Sequence, residues 1–453
     1  MNDKAKTNPV LSGSIIPTFF YYVVPSIIGL VAITTANLVD GAFVGNFVGS
    51  DALASITLLI PYFTLLFGIA LMIAIGGSVR AGTYIGENNV AAASSIFSKS
   101  LITTFAFSSI AAVLGFVFDD YLYWALGAPE DLYPLMADYF QIITFVLIIQ
   151  LITMVLYYFV RADGHPVIAT IALVTGALIN IALDALFIGY LDMGLKGAAY
   201  ATGIAQIIQL LILLRYFLSP DKTLSFSIQQ TNWLEMAKAS FNGLSEFVNE
   251  ISGGLIIFLL NWLLISRLGV DGVAAFTVVN FLIFLSLMLS YGVADALHLL
   301  VSQNFGAKNS VRIRQFFLTS IVSVSAIGLV LISILLFWQD AIIQLFLDEE
   351  AKHVASISSG LITVIWPLFL VNGVNVLLSC YLTAMHQPIP STAVALSRSL
   401  FLPAGLLTAF YMFFPEQPFL MALPLAEWLT FFLAVALCIY NRPTKLVQQA
   451  KQK

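Results

Sequence analysis

The stretch FVGSDALASITLLIP at residues 47–61 returns as RLGVDGVAAFTVVNF at 267–281, a spacing of about 220 residues. This register sets Gly49 on Gly269, Asp51 on Asp271, Ala54 on Ala274 and Thr57 on Thr277. It also carries Tyr84-Ile85-Gly86-Glu87-Asn88-Asn89 onto Asn304-Phe305-Gly306-Ala307-Lys308-Asn309. A near-equal offset of 222 aligns RADGHP (161–166) with TAMHQP (383–388). Apolar helices resemble one another easily, but these matches fall in loops at matching topological positions. The chain therefore reads as two halves of one design.

What the halves are made of follows from composition. Of 453 residues, 60% are hydrophobic and only 9% charged, with 36 Phe, which excludes a soluble globular protein. A membrane helix needs ~20 apolar residues. Twelve such blocks run at 14–48, 52–82, 92–118, 134–162, 166–190, 197–218, 235–267, 271–303, 310–338, 354–384, 390–414 and 418–440. None alternates polar and apolar as outer-membrane strands do, so the expectation is an all-α membrane protein of twelve transmembrane helices. Two six-helix lobes in the same orientation imply a pseudo-twofold along the membrane normal. The domain reading is an N-lobe at 1–217, a cytoplasmic linker at 218–238 (LSPDKTLSFSIQQTNWLEMAK) and a C-lobe with a cytoplasmic tail at 239–453. Lobes of this kind can rock and open a central cavity to each side in turn.

Of the 19 Lys and Arg residues, all but Lys196, Arg267 and Lys352 fall at the termini, in even-numbered loops or at their flanks; Arg398 is counted among the flanks. The positive-inside rule makes that face cytoplasmic, with both termini inside a cell (inner) membrane. Asp119, Asp120, Glu130, Asp131, Asp348, Glu349 and Glu350 lie on the other side. The polar start MNDKAKTNP leads into a block too long for a signal peptide, so no cleavable one is expected. A net charge of −5 gives no reason to expect a nucleic-acid partner. Cys380 and Cys438 read as small buried hydrophobes.

Within this apolar chain, Asp40 follows a proline-containing start, PSIIGLVAITTANLVDG, inside the first block, and Asp184 lies four residues after Asn180 in ALINIALDAL. A carboxylate at bilayer depth costs at least ~2.5–3.5 kcal/mol on insertion scales, so such residues mark ion or substrate paths. The repeat breaks where they occur: Asp40 aligns with Leu260, and Asn180 and Asp184 with Leu402 and Leu406. The polar set belongs to the N-lobe alone. Helical spacing puts Asn180 and Asp184 on one face, and Thr202 and Gln206 on one face of GLKGAAYATGIAQ, whose small residues permit close packing. Carboxylates, an amide carbonyl and a hydroxyl suit a small cation or a hydrogen-bonded proton. Two carboxylates close together in low dielectric resist ionising together, so such a pair is able to take up and release a proton. Pro25, fifteen residues before Asp40, removes a backbone donor and marks a hinge candidate. Glu250, Asp295 and His298 are secondary or cavity candidates, and Glu246 and Glu427 read as interfacial.

These residues resemble a known family. P-x14-D in the first helix, N-x3-D in the fifth, GLKGAAYAT in the sixth and GVADALHLLVSQNFGAKN (292–309) in the eighth look like the multidrug and toxic compound extrusion (MATE) family, over about 14–440. Within it the chain is similar to the DinF-like branch. The resemblance implies a V-shaped pair of lobes that exports organic cations and other drugs against H⁺ or Na⁺ entry, working as a monomer among membrane lipids. It implies that Asp40, Asn180, Asp184 and Thr202 hold the coupling proton or Na⁺, with no cofactor. Another branch uses a C-lobe acid pair from helices 7 and 10; here the tenth block has no Asp or Glu, which argues against a C-lobe coupling site.

Two other functions compete. An intramembrane enzyme needs a nucleophile with its base, or a metal motif such as H-E-x-x-H, and neither appears. A lipid-linked oligosaccharide flippase of a related superfamily is the stronger rival. Flippases of that group line their cavity with basic residues, whereas acids occupy the lobe interiors here.

Overall fold

The computed structural model describes residues 8–346, 352–414 and 418–452, and every regular element among them is helical. Lys4, Lys6, Lys453, Asp348, Glu349 and Glu350 lie outside the described residues. The spanning helices are α1 (Ile15–Val48), α2 (Ser50–Gly86), α3 (Val90–Val117), α4 (Glu130–Ala162), α5 (Pro166–Tyr190) and α6 (Gly194–Leu218). They continue as α7 (244–268), α8 (270–306), α9 (Ser310–Phe337), α10 (Lys352–Ala384), α11 (Pro388–Phe413) and α12 (Ala422–Tyr440). α7 and α8 run on as one 63-residue helical stretch interrupted only at Gly269, whose φ of 66° is non-helical. At 1.5 Å per residue an unbroken helix of that length would measure ~95 Å, three bilayer cores, so the break makes two spans.

The repeat is visible in the backbone. Gly49 (φ 118°) and Gly269 (φ 66°) make the same turn between the first two helices of each half, at a φ that costs glycine nothing. Asn88 and Lys308 both take positive φ, and the next residues, Asn89 and Asn309, cap α3 and α9 by accepting from Ala92 N and Arg312 N at 3.1 Å. Gly164 and His386 share positive φ two residues before Pro166 and Pro388, which occupy the first turns of α5 and α11 where a missing N–H is harmless.

The chain forms two compact units: residues 24–243, and residues 1–23 with 244–453. In the first, α6 lays Gly197, Ala198, Ala199, Ala201, Gly203 and Ala205 against α4 and α5. Lipid tails are as apolar as leucine, so close backbone approach rather than hydrophobic exclusion holds such helices together. A helix at Trp233–Asn242, capped by Asn232, packs on α2 and belongs to this unit. The seventh block, expected to begin at 235, therefore starts at Leu244, after this separate helix. In the second unit the core gathers Leu263, Leu264, Ala275, Val279, Ile365 and Leu407. Exposed Ile110, Phe258 and Val322 are what a lipid-facing surface requires.

Candidate functional site

Two wide turns frame the acids of the first unit. α1 is α-helical to Phe43 and then runs as a π-helix over Val44–Val48, four residues after Asp40. α5 is α-helical to Asp184 and then π-helical over Ala185–Tyr190. The two π turns pack on each other. Such turns insert a residue into the helical register and recur at functional sites. Here they follow directly on the segments that carry the carboxylates.

Asp184 is 0% exposed, and neither of its oxygens accepts a hydrogen bond from the described residues. Asp40 is half-buried with its Oδ1 enclosed in the same condition. The two carboxylates act on each other electrostatically. One turn before Asp184, buried Asn180 donates from Nδ2 to Thr202 Oγ1 of α6 at 3.5 Å. Gln206 is half-buried one turn beyond Thr202. The fold thus draws Asp40, Asp184, Asn180 and Thr202 into one neighbourhood. It adds Tyr139 of α4, buried against Phe63 at a ring distance of 6.4 Å and in the electrostatic field of both acids. As one of 17 tyrosines Tyr139 carries no signal in the sequence; only the fold singles it out. Among the described residues, no basic side chain acts on either carboxylate.

Pro25 lies inside α1, which continues through it as helix. Its carbonyl accepts from the Thr170 hydroxyl at 2.9 Å, and the neighbouring Ser26 hydroxyl accepts from Arg161.

The second unit treats its acids differently. Arg398 sits in a π turn of α11, Ser397–Phe401, and is buried. Its reading as a cytoplasmic flank is corrected: α11 begins at Pro388, so Arg398 lies ten residues, roughly 15 Å, into the span. It donates to Tyr291 Oη at 2.9 Å and Asn249 Oδ1 at 3.4 Å, and Glu427 and Glu246 lie in its field. Glu427 Oε2 accepts from Asn375 Nδ2 at 2.6 Å. Glu246 Oε1 lies 3.9 Å from His298 Nε2, beside buried Asp295. Glu246 and Glu427, read as interfacial, belong to this internal cluster instead. Glu250 is exposed on α7 one turn past Glu246.

The described residues hold no group of three His, Cys, Asp or Glu side chains arranged for a metal ion. A Na⁺ at Asp40 and Asp184 would draw its other oxygens from Asn180 and Thr202, both of which are at hand.

A model of the MatE family matches residues 25–186 and 254–406. The chain is 27% identical to the probable multidrug resistance protein YoeA of Bacillus subtilis, over 73% of each chain. It is 24% identical to the multidrug export protein MepA of Staphylococcus haemolyticus, over 85% of each. A solved structure, the outward-facing conformation of a multidrug resistance MATE family transporter of the MOP superfamily, superposes with a TM-score of 0.88 at 21% identity, covering 99% of both chains.

Proposed function

Because the chain belongs to the MatE family, whose members are membrane transporters rather than enzymes, we propose that it exports organic, often cationic, small molecules in exchange for H⁺ by alternating access. The multidrug roles of YoeA and MepA support the substrate class. The N-terminal acids, unmatched in the second repeat, support a place in the DinF-like branch. The basic residues on one side support a cell membrane orientation with both termini in the cytoplasm.

One observation carries the coupling assignment: Asp184 is wholly enclosed, without a hydrogen-bond donor among the described residues, in the field of Asp40. Two carboxylates so placed repel strongly in low dielectric, and one proton removes that repulsion. Binding a cationic drug removes it equally well, so proton and drug compete for the same negative charge, which is the requirement for antiport. Asn180 and Thr202 orient the Asp184 end of the site, and Tyr139 closes its α4 side. A proton moving inward yields ~2.3 kcal/mol per 100 mV, plus the pH gradient. Export of a monovalent cation for one proton is electroneutral and runs on the pH gradient alone. The Na⁺ reading rests on the oxygens of Asn180 and Thr202. It is weakened because Na⁺ wants a fuller cage than a proton does.

The test is drug efflux from proteoliposomes under proton and sodium gradients imposed separately. Efflux should follow the proton gradient and be lost in Asp40→Asn. Efflux that follows sodium and ignores protons overturns the ion. Normal efflux in Asp40→Asn and Asp184→Asn, with none in Glu250→Gln, moves the site to the second unit.

A further inference from the structure

The segments leading into the first and seventh helices are each gripped by the unit that does not hold most of the helix they lead into. Residues 8–12 pack with the second unit, while α1 from residue 24 onward belongs to the first. Residues 231–242 pack with the first unit, while α7 belongs to the second.

The grips are built alike. In the first, the carbonyl of fully buried Val10 accepts from Asn304 Nδ2 at 3.2 Å and from Arg312 Nη2 at 2.9 Å. Asn8 donates to Gln303 Oε1 at 2.8 Å and with its own Oδ1 caps Val10 N. In the second, the carbonyl of Thr231 accepts from Lys99, which is 1% exposed, and the Thr231 hydroxyl pairs with Ser95 Oγ at 2.7 Å. Glu235 then accepts from Arg80 Nη2 at 2.7 Å and from the Tyr84 hydroxyl. Tyr84 and Asn304 are the same position of the 220-residue repeat, and the gripped carbonyls of Val10 and Thr231 differ by 221. Each half thus grips a lead-in, at neighbouring rather than identical positions of the repeat.

Neither grip is made to open. A Cβ on Gly76 would fall 2.0 Å from the Ala239 carbonyl oxygen, and one on Gly243 would fall 2.2 Å from that of Met72. Backbone lies on backbone there, with no side chain to rotate away. Releasing Thr231 would leave the Lys99 ammonium buried without its carbonyl partner. Releasing residue 10 would expose the apolar Val10 side chain and leave the Asn304 amide short of an acceptor.

We propose that the two lead-ins are permanent straps, each holding the start of α1 or α7 to the other unit throughout the transport cycle. The chain then flexes beyond the straps rather than in them. The straps are not gates.

Hydrogen exchange on the full-length protein in lipid nanodiscs tests this without relying on transport. Protection of residues 8–12 and 231–242 should be the same at acidic and alkaline pH, with or without ethidium as a cationic probe. Arg312→Ala should speed exchange at 8–12 by at least ~10-fold and leave 231–242 unchanged, showing that the measurement reports the grip. A ~10-fold loss of protection in either lead-in under any of these conditions overturns the proposal. A second measurement uses Asn8→Cys with Gln303→Cys, joined by a short thiol crosslinker, with the treated wild type controlling for Cys380 and Cys438. Whatever transport the uncrosslinked double variant shows in proteoliposomes should persist within ~2-fold after crosslinking. Transport lost on crosslinking and restored by cleaving the linker means that the strap opens.

Discussion

The acids around Asp184 and those around Arg398 occupy two copies of one repeat, yet they are held in opposite ways. Asp184 lies in the electrostatic field of Asp40 and lacks any hydrogen-bond donor among the described residues. Glu246, Asp295 and Glu427 share their cluster with a buried guanidinium, an imidazole and the amide of Asn375. A buried charge must be balanced by something. In the second unit the protein supplies much of the balance itself, which makes the cluster structural. On the proposed function, the first unit leaves that balance to a proton or a cationic drug. On that proposed function the two units divide the work: one carries cargo, the other holds shape.

The sharpest way to break this comparison is to neutralise one acid on each side. Asp184→Asn should bring efflux to the level of empty vesicles while the melting temperature stays at or above wild type, since the amide fills the same space and removes an uncompensated buried charge. Efflux and melting temperature falling together would make Asp184 a structural acid after all. Arg398→Met should show the reverse order of effects. It leaves Glu427 and Glu246 buried without their guanidinium, a loss of about 3–5 kcal/mol. A well-folded Arg398→Met protein with an altered drug profile would turn the cluster into a second binding site.

Smaller effects should separate the groups that orient the first site from those that carry charge. Asn180→Ala, Thr202→Val and Tyr139→Phe each remove one hydrogen-bonding group and should slow efflux by roughly 10-fold, the equivalent of ~1.4 kcal/mol. The drug range should be unchanged, as measured by initial rates at graded pH differences. Gln206→Ala should cost less than any of them, because Gln206 lies a further turn away along α6. A Thr202→Val protein as inactive as Asp184→Asn would promote the hydroxyl to a direct ligand and revive the sodium reading.

Much of this contrast could be read from the chain itself, and the part that could not has identifiable reasons. Apolar length and the loop matches at Gly49/Gly269 and Asn89/Asn309 are local properties, and they carry the twelve helices and the repeat. Asn180 and Asp184 announce themselves by helical spacing, and Asp40 by standing alone. Tyr139 reaches the site only through the packing of α4, a long-range fact with no local signature. The π turns after Asp40 and Asp184 replace one hydrogen-bond register by another of similar composition, so periodicity passes over them. Arg398 follows a stretch with two prolines, Pro388 and Pro390, and a polar flank is the natural reading of it. The eleventh block, 390–414, already reaches Arg398, and the helix from Pro388 places it ten residues into the span. The same effect hid the helix at Trp233–Asn242, whose apolar residues merge with those of α7.

Glu235 offers the last and smallest test, because it is a carboxylate with a cationic partner in the same unit as Asp40 and Asp184. Burial alone would raise its carboxyl, but the hydroxyl of Tyr84 and the guanidinium of Arg80 outweigh that and hold it below its ordinary 4.5. A carboxyl lowered in the folded state stabilises the protein above its unfolded value, and the contribution fades as pH falls through the folded value. Wild type should therefore exceed Glu235→Gln in stability at neutral pH, and the gap should close as the pH falls below the ordinary carboxyl value. Both Glu235 and Arg80 are partly exposed, with side-chain accessibilities of 23% and 32%, so screening by solvent holds the gap to about 1 kcal/mol. Efflux should be far less affected than in Asp184→Asn. Such a result would tie the behaviour of an acid in this protein to whether it has a resident partner rather than to the unit it sits in. A Glu235→Gln protein that folds normally and loses all coupled efflux would sink that rule.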